Sequence, residues 1–240
     1  MKKRKPRPIL SAFRLLVHTL MRGSALVTAV ILSILIGCAL RFGMPALIKA
    51  APLFSFFDNH ALLLDALLYL ITPFLIMSAC CMVMLDERDN ATALGLMTTP
   101  IGRSGYLISR SLLPLCFTTL YTIVIAFLFA SVTRKPLHTL LIAFTASITA
   151  YSACAFIPDF ARDKVMGMSM MKIGFVLILT VAIPFYAPQK WGPYLSWLPT
   201  YWFYRTLVFS DWLMALICIL VSVIWILPSL RAFKRRALRH

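Results

Sequence analysis

The chain has 240 residues, 61% of them hydrophobic and 13% charged, with a mean hydropathy of +0.87 and a formal net charge of +16 at pH 7. A water-soluble domain is nearer half apolar, so this composition excludes an ordinary globular enzyme. The positive charge would fit nucleic acid if it lay on one folded face, but it is distributed between long apolar runs.

Those runs set the class. Uncharged stretches occur at Gly23–Leu40, Ala66–Leu85, Ser111–Thr133, Pro136–Pro158, Ile173–Gln189 and Trp212–Leu230, each 17 to 23 residues long. A helix of about 20 apolar residues crosses a hydrocarbon core of about 30 Å. Only helices or closed barrels satisfy their backbone bonds there, and the alternation of barrel strands is absent. The sequence therefore predicts an all-α integral membrane protein. Residues 1–240 form a single transmembrane domain, with spans at about 23–42, 64–85, 108–133, 136–158, 166–187 and 211–230. If the N-terminus is cytoplasmic, inner segments carry 18 of the 24 Lys and Arg residues. That asymmetry places both termini in the cytoplasm. The charge is then topology and contact with anionic membrane lipids, with no nucleic acid among the partners. All six cysteines fall in or at the ends of apolar runs, and no Cys-x-x-Cys pair supports zinc or disulfides. The first run is too long for a cleaved signal and lacks a small-residue cleavage site.

In chain order, residues 1–7 are a basic tail. Between 8 and 22, Ile9, Phe13, Leu16, Val17 and Leu20 share one helical face, while Arg14, His18 and Arg22 recur on another. This is the pattern of an amphipathic helix in the inner interface. The outer segment Arg41–Asp65 holds Pro45, Pro52 and Asp58, with room for a short interfacial helix. Asp65, at the mouth of span 2, reads as a solvated flank. Span 2 carries Thr72-Pro73 and Ser78, where a kink is expected.

Residues 86–105, DERDNATALGLMTTPIGRSG, form a conspicuously polar passage and contain Glu87, the only glutamate. Asn90 can N-cap a short helix reaching Met97, and Pro100 ends it. Ala91, Leu94 and Met97 then share a small apolar face rimmed by charge, which suits a soluble partner. A plain solvated loop is the alternative.

Spans 3 and 4 are joined by the short turn Arg134-Lys135-Pro136, so they are antiparallel neighbours. The inner turn Pro158–Lys164 has room for one helical turn, and Lys172 lies about two turns into span 5, where it can snorkel. The outer segment 188–210 is rich in proline and in Trp191, Tyr194, Trp197, Tyr201 and Trp202. Aromatic side chains of this kind favour the membrane boundary, and the prolines forbid one continuous helix. Short broken helices, or a simple aromatic girdle, both fit.

No GxxxxGK[ST], HExxH or GxSxG motif occurs. None of the eight acidic residues falls mid-membrane, which counts against an ion-driven carrier. The chain itself is expected to be no enzyme and to hold no metal or cofactor.

The order Glu87-Arg88-Asp89, then Thr92, a Leu-rich turn, Thr99-Pro100, Arg103 and Tyr106-Leu107 resembles the loop after the second span in ABC-2 permeases of ATP-binding-cassette transporters. Ala91 stands where that family usually has glycine, and Ala93 or Leu94 where it often has an acidic residue. The six-span layout extends the resemblance to the whole chain. It implies the ABC-2 (type V exporter) architecture, with an N-terminal interfacial helix and a cytoplasmic coupling helix within 86–105. Glu87, Arg88, Asp89, Thr92, Leu94, Met97, Pro100 and Arg103 would contact the ATPase subunit. Phe13, Arg14 and Leu16 would make a second contact with it or anchor to the membrane surface. The segment 188–210 would be re-entrant. The partners implied are two copies of an ABC ATPase, which bind the ATP and magnesium, and a second permease in a homo- or heterodimer. The location implied is the bacterial cytoplasmic membrane, and the cargo an amphipathic or hydrophobic molecule moved outward. A non-transport assembly or immunity factor, a secondary carrier and a membrane enzyme are the other readings.

Overall fold

The computed structural model describes residues 24–44, 46, 61–90, 92, 95, 102–131, 135–161 and 163–237. All the regular structure among them is helical, with no strand. Six helices are long and apolar enough to cross a membrane. They are α1 (Ser24–Cys38) with its helical continuation to Gly43, α2 (Ala61–Asp89), α3 (Gly102–Phe129), α4 (Pro136–Cys154), α6 (Lys164–Leu179) with its continuation to Tyr186, and α10 (Trp212–Ala237). Between them lie the short α5 (Ile157–Phe160), α7 (Ile183–Tyr186), α8 (Gly192–Leu195) and α9 (Pro199–Phe209).

Burial separates two central helices from four peripheral ones. In α2 and α4, 67% of the apolar window is buried, against 22–28% in the others. The composition of α4 explains its place. Ala143, Ala146, Ala150 and Ala153 are buried along it and let neighbouring backbones come close. Its buried hydroxyls fold back on their own helix: Thr139 donates to the Lys135 carbonyl (3.1 Å), Ser147 to Ala143 (2.8 Å) and Ser152 to Thr149 (2.7 Å). Each polar group is thereby satisfied without water. At Gly174 of α6, a Cβ would stand 3.1 Å from the Ala153 carbonyl oxygen and 3.1 Å from a Phe74 ring carbon. A larger residue here would be tight against both α2 and α4, and its neighbours would have to give by a few tenths of an ångström.

Several boundaries move from the sequence expectation. α2 runs on through Asp86, Glu87, Arg88 and Asp89, because each of those charges finds a partner within the chain. Asn90 donates its N–H to the Asp86 carbonyl (3.0 Å) and closes the last turn of α2. α3 begins at Gly102 and continues through Pro114, and α10 continues through Pro228. α1 runs into a π-helical turn, Ala39–Gly43.

Asp65 corrects a second expectation. Far from being a solvated flank, it is 3% exposed and accepts the Ser131 backbone N–H (2.9 Å) beyond the end of α3. Arg41, in the π turn, donates to the Ser131 hydroxyl. The C-terminal ends of α1 and α3 and the N-terminal end of α2 thus meet at one polar knot, in which the Asp65 carboxylate satisfies a partly buried backbone N–H just past α3. The N-terminal amphipathic helix expected at 8–22, and most of the segment between spans 1 and 2, lie outside the described residues.

Candidate functional site

The charged end of the bundle is tied together by the last turn of α2. Glu87 is buried, and Arg110 of α3 grips both of its carboxylate oxygens, with Nε 2.9 Å from Oε2 and Nη2 on Oε1. The pair closes the 23-residue separation that contains the polar passage. Arg88 points the other way and donates to the Pro158 (2.8 Å) and Ala161 (2.5 Å) carbonyls of the α4–α6 turn. Those are C-terminal carbonyls of α5 and its flank, which a guanidinium is well shaped to satisfy. Asp89 accepts the Lys164 backbone N–H (3.1 Å), and Asp86 pairs with the Lys164 ammonium (2.9 Å). Asp163 caps α6 by accepting the Met166 N–H (2.7 Å). The base of the passage is therefore clasped to α3 on one side and to the start of α6 on the other.

At the opposite end, the chain between α6 and α10 breaks into short pieces. α6 passes through a 3-10 turn, Thr180–Ala182, into α7, and a second 3-10 turn, Gln189–Trp191, leads into α8. α9 then packs along α10, with Thr200, Phe203, Thr206 and Leu207 buried. The depth of this hairpin is fixed by two bonds to α10. The Cys218 thiol donates to the Pro199 carbonyl (3.7 Å), and the Trp225 indole N–H donates to the Trp197 carbonyl (3.0 Å). Trp225 lies thirteen residues beyond Trp212, roughly 20 Å along the helix. Its side chain leans back toward the helix start, so the tip of the hairpin sits well within the length of α10. Trp202 donates to the Ser196 carbonyl (2.7 Å), Thr180 and Thr200 share a hydrogen bond (2.6 Å), and Phe185 meets Tyr204 edge-on at 4.6 Å. A cleft beside the tip is lined by Thr149, Ser152, Leu198, Thr200 and Trp225.

A family model described as Rv2686c-like, fluoroquinolones export permease protein Rv2686c-like, matches residues 17–230. The chain belongs to this family. It is an export permease of an ABC transporter, a multi-pass membrane protein that is not itself catalytic, and the family implies an ATPase partner. No curated protein matches the chain.

In this permease the sequence-derived contact residues fall into three groups. Glu87, Arg88 and Asp89 are in α2, with the side-chain partners just given. Of these three, Glu87 is buried, whereas Arg88 and Asp89 stay exposed at the end of α2 while making those bonds. Thr92 is exposed, helical, and donates to the Glu87 carbonyl (2.9 Å). Leu94, Met97 and Pro100 lie outside the described residues, as do Phe13, Arg14 and Leu16; of Arg103 only the backbone, in the first turn of α3, is described. Of the aromatic set, Trp191, Tyr194 and Trp197 are exposed, while Tyr201 and Trp202 are half-buried on α9.

Sequence reasoning missed Arg110 and Lys164 as members of the site. The available signal was weak: each is a cation at the edge of an apolar run, and the membrane rule alone accounts for that position.

Proposed function

We propose that this permease has the ABC-2 architecture and is driven through residues 86–105, which dock on a separate ATPase subunit. The observation that carries the reading is the clasp at the base of that passage. Glu87–Arg110, Arg88 and Lys164 join it to α3, α6 and the α4–α6 turn. A push on the passage therefore reaches several spans at once, as rigid-body coupling requires. Leu94, Met97 and Pro100 enter the ATPase cleft, with Thr92 and Arg103 at its rim and Glu87, Arg88 and Asp89 setting its base. Phe13, Arg14 and Leu16 add a second contact at the membrane surface. Two permease chains, identical or related, surround the pathway above two ATPase copies, which hold the ATP and magnesium.

In this reading the charged end and both termini face the cytoplasm of a bacterial cell, and 188–210 is a re-entrant segment in the outer leaflet. The hairpin's depth along α10 supports that placement. The cargo is an aromatic amphiphile of the fluoroquinolone kind. Membership of a fluoroquinolone export permease family supports it.

The test is co-expression with the ATPase and reconstitution into vesicles. Leu94→Asp should insert normally yet abolish stimulation of ATP hydrolysis and drug efflux. Undiminished efflux in that variant would sink the docking role.

A further inference from the structure

We propose that Arg205, with the rings around it, binds the phosphate of an outer-leaflet phospholipid. α9 turns Thr200, Phe203, Thr206 and Leu207 into the bundle. At 100° per residue Arg205 lies on the opposite side of the same helix, with Tyr201 and Phe209 one turn away on either side. Its guanidinium carbon is 5.8 Å from the Tyr201 and Trp202 ring centroids and 5.7 Å from that of Phe209. Each ring attracts the cation through its quadrupole. Together they hold a long side chain in one place, with its N–H donors still available.

Among the described residues no carboxylate pairs with Arg205 and no acceptor takes those donors; the ion pairs there are Arg110–Glu87 and Lys164–Asp86. A planar fork of donors is thus presented on the face turned away from the bundle. That geometry matches two oxygens of a phosphate.

Depth and charge select the occupant. Arg205 is four residues from the end of α9, about 6 Å below it. In the re-entrant orientation proposed above, on which this inference rests, that is where lipid phosphates meet acyl chains. Acyl chains alone would leave the fork unsatisfied. A second copy of the chain offers few acids at this end: Asp65 is buried, Asp211 caps α10 by accepting the Leu213 N–H (3.2 Å), and Asp58 lies outside the described residues.

The experiment is native mass spectrometry of the solubilised permease, titrated with dioleoyl-phosphatidylglycerol. One bound lipid per chain should weaken on the order of tenfold in Arg205→Gln, the loss expected for charge-assisted hydrogen bonds. Arg205→Lys should fall between, keeping the charge but not the fork. Phe209→Ala, which opens the cage and leaves the cation, should weaken binding a few-fold. Dioleoylglycerol, with the same tails and no phosphate, should bind all four proteins alike. Equal phosphatidylglycerol binding by wild type and Arg205→Gln overturns the proposal, and so does an equal loss of dioleoylglycerol. A loss confined to an aromatic carboxylate drug, with phosphatidylglycerol unchanged, overturns it in favour of a cargo site. The orientation is tested separately, by an impermeant maleimide on Tyr194→Cys in a background lacking the native cysteines. Labelling from the inside alone would reject the topology and leave the lipid measurement standing.

Discussion

Removing one member of the Glu87–Arg110 pair should cost more than removing both. The Arg110 and Glu87 side chains are 2% and 9% exposed, and the guanidinium grips both carboxylate oxygens. Deleting one partner from so enclosed a pair strands the other charge, at a cost of about 3–5 kcal/mol. Water screens little of this, because both groups are almost fully enclosed. Glu87→Leu combined with Arg110→Met removes the attraction and the desolvation penalty together. That double variant should unfold within about 1 kcal/mol of wild type, or be more stable. Unfolding by SDS in mixed micelles gives the free energies, and the departure of the double variant from the sum of the singles gives the coupling. Stimulation of the partner ATPase should follow the same order, with wild type and the double variant above either single. Single variants within about 0.5 kcal/mol of wild type, or a double variant that loses the full sum, would refute the reasoning.

Arg88→Ala should destabilise the charged end by about 1.5–3 kcal/mol, because two backbone carbonyls lose a charged donor. Lys164→Ala removes an ion pair whose side chains are 47% and 51% exposed and should cost no more than about 1 kcal/mol. The same unfolding titration ranks them, and equal losses would count against the clasp. Gly174→Ala should cost about 1–3 kcal/mol by forcing apart α6 and α4 at the Ala153 carbonyl; an unchanged midpoint would show that the helices have slack there. Trp225→Phe keeps a ring but removes the donor to the Trp197 carbonyl. Amide exchange at 196–198 should rise while exchange in α2 and α4 stays constant, and a uniform rise would mean that the bond does not pin the hairpin locally.

The spans were legible because crossing a membrane demands a run of apolar residues that any chain must display openly. The turn between α4 and α6 was legible as well, since the seven residues from Pro158 to Lys164 leave room for little beyond the single turn of α5, which starts one residue earlier. The broken segment between α6 and α10 was announced by its prolines and aromatics, though not by its depth along α10, which is set by Cys218 and Trp225 on that helix. Glu87 stood out as the lone glutamate, but its partner did not. Nothing local distinguishes Arg110 from any cation flanking a span, and a pair 23 residues apart forms only when two helices are laid side by side. Asp65 was misread for the same reason, because a carboxylate at a helix mouth is solvated or buried according to what packs over it.

The amino-acid order by itself determined the class of the protein, its six candidate spans and the place of its polar passage, because hydropathy and charge act residue by residue against the membrane. Which helices are central, which charges turn inward and how deep the aromatic hairpin reaches were decided only by tertiary packing. Each of those depends on the distance between groups far apart in the chain, and only the packed helices set that distance.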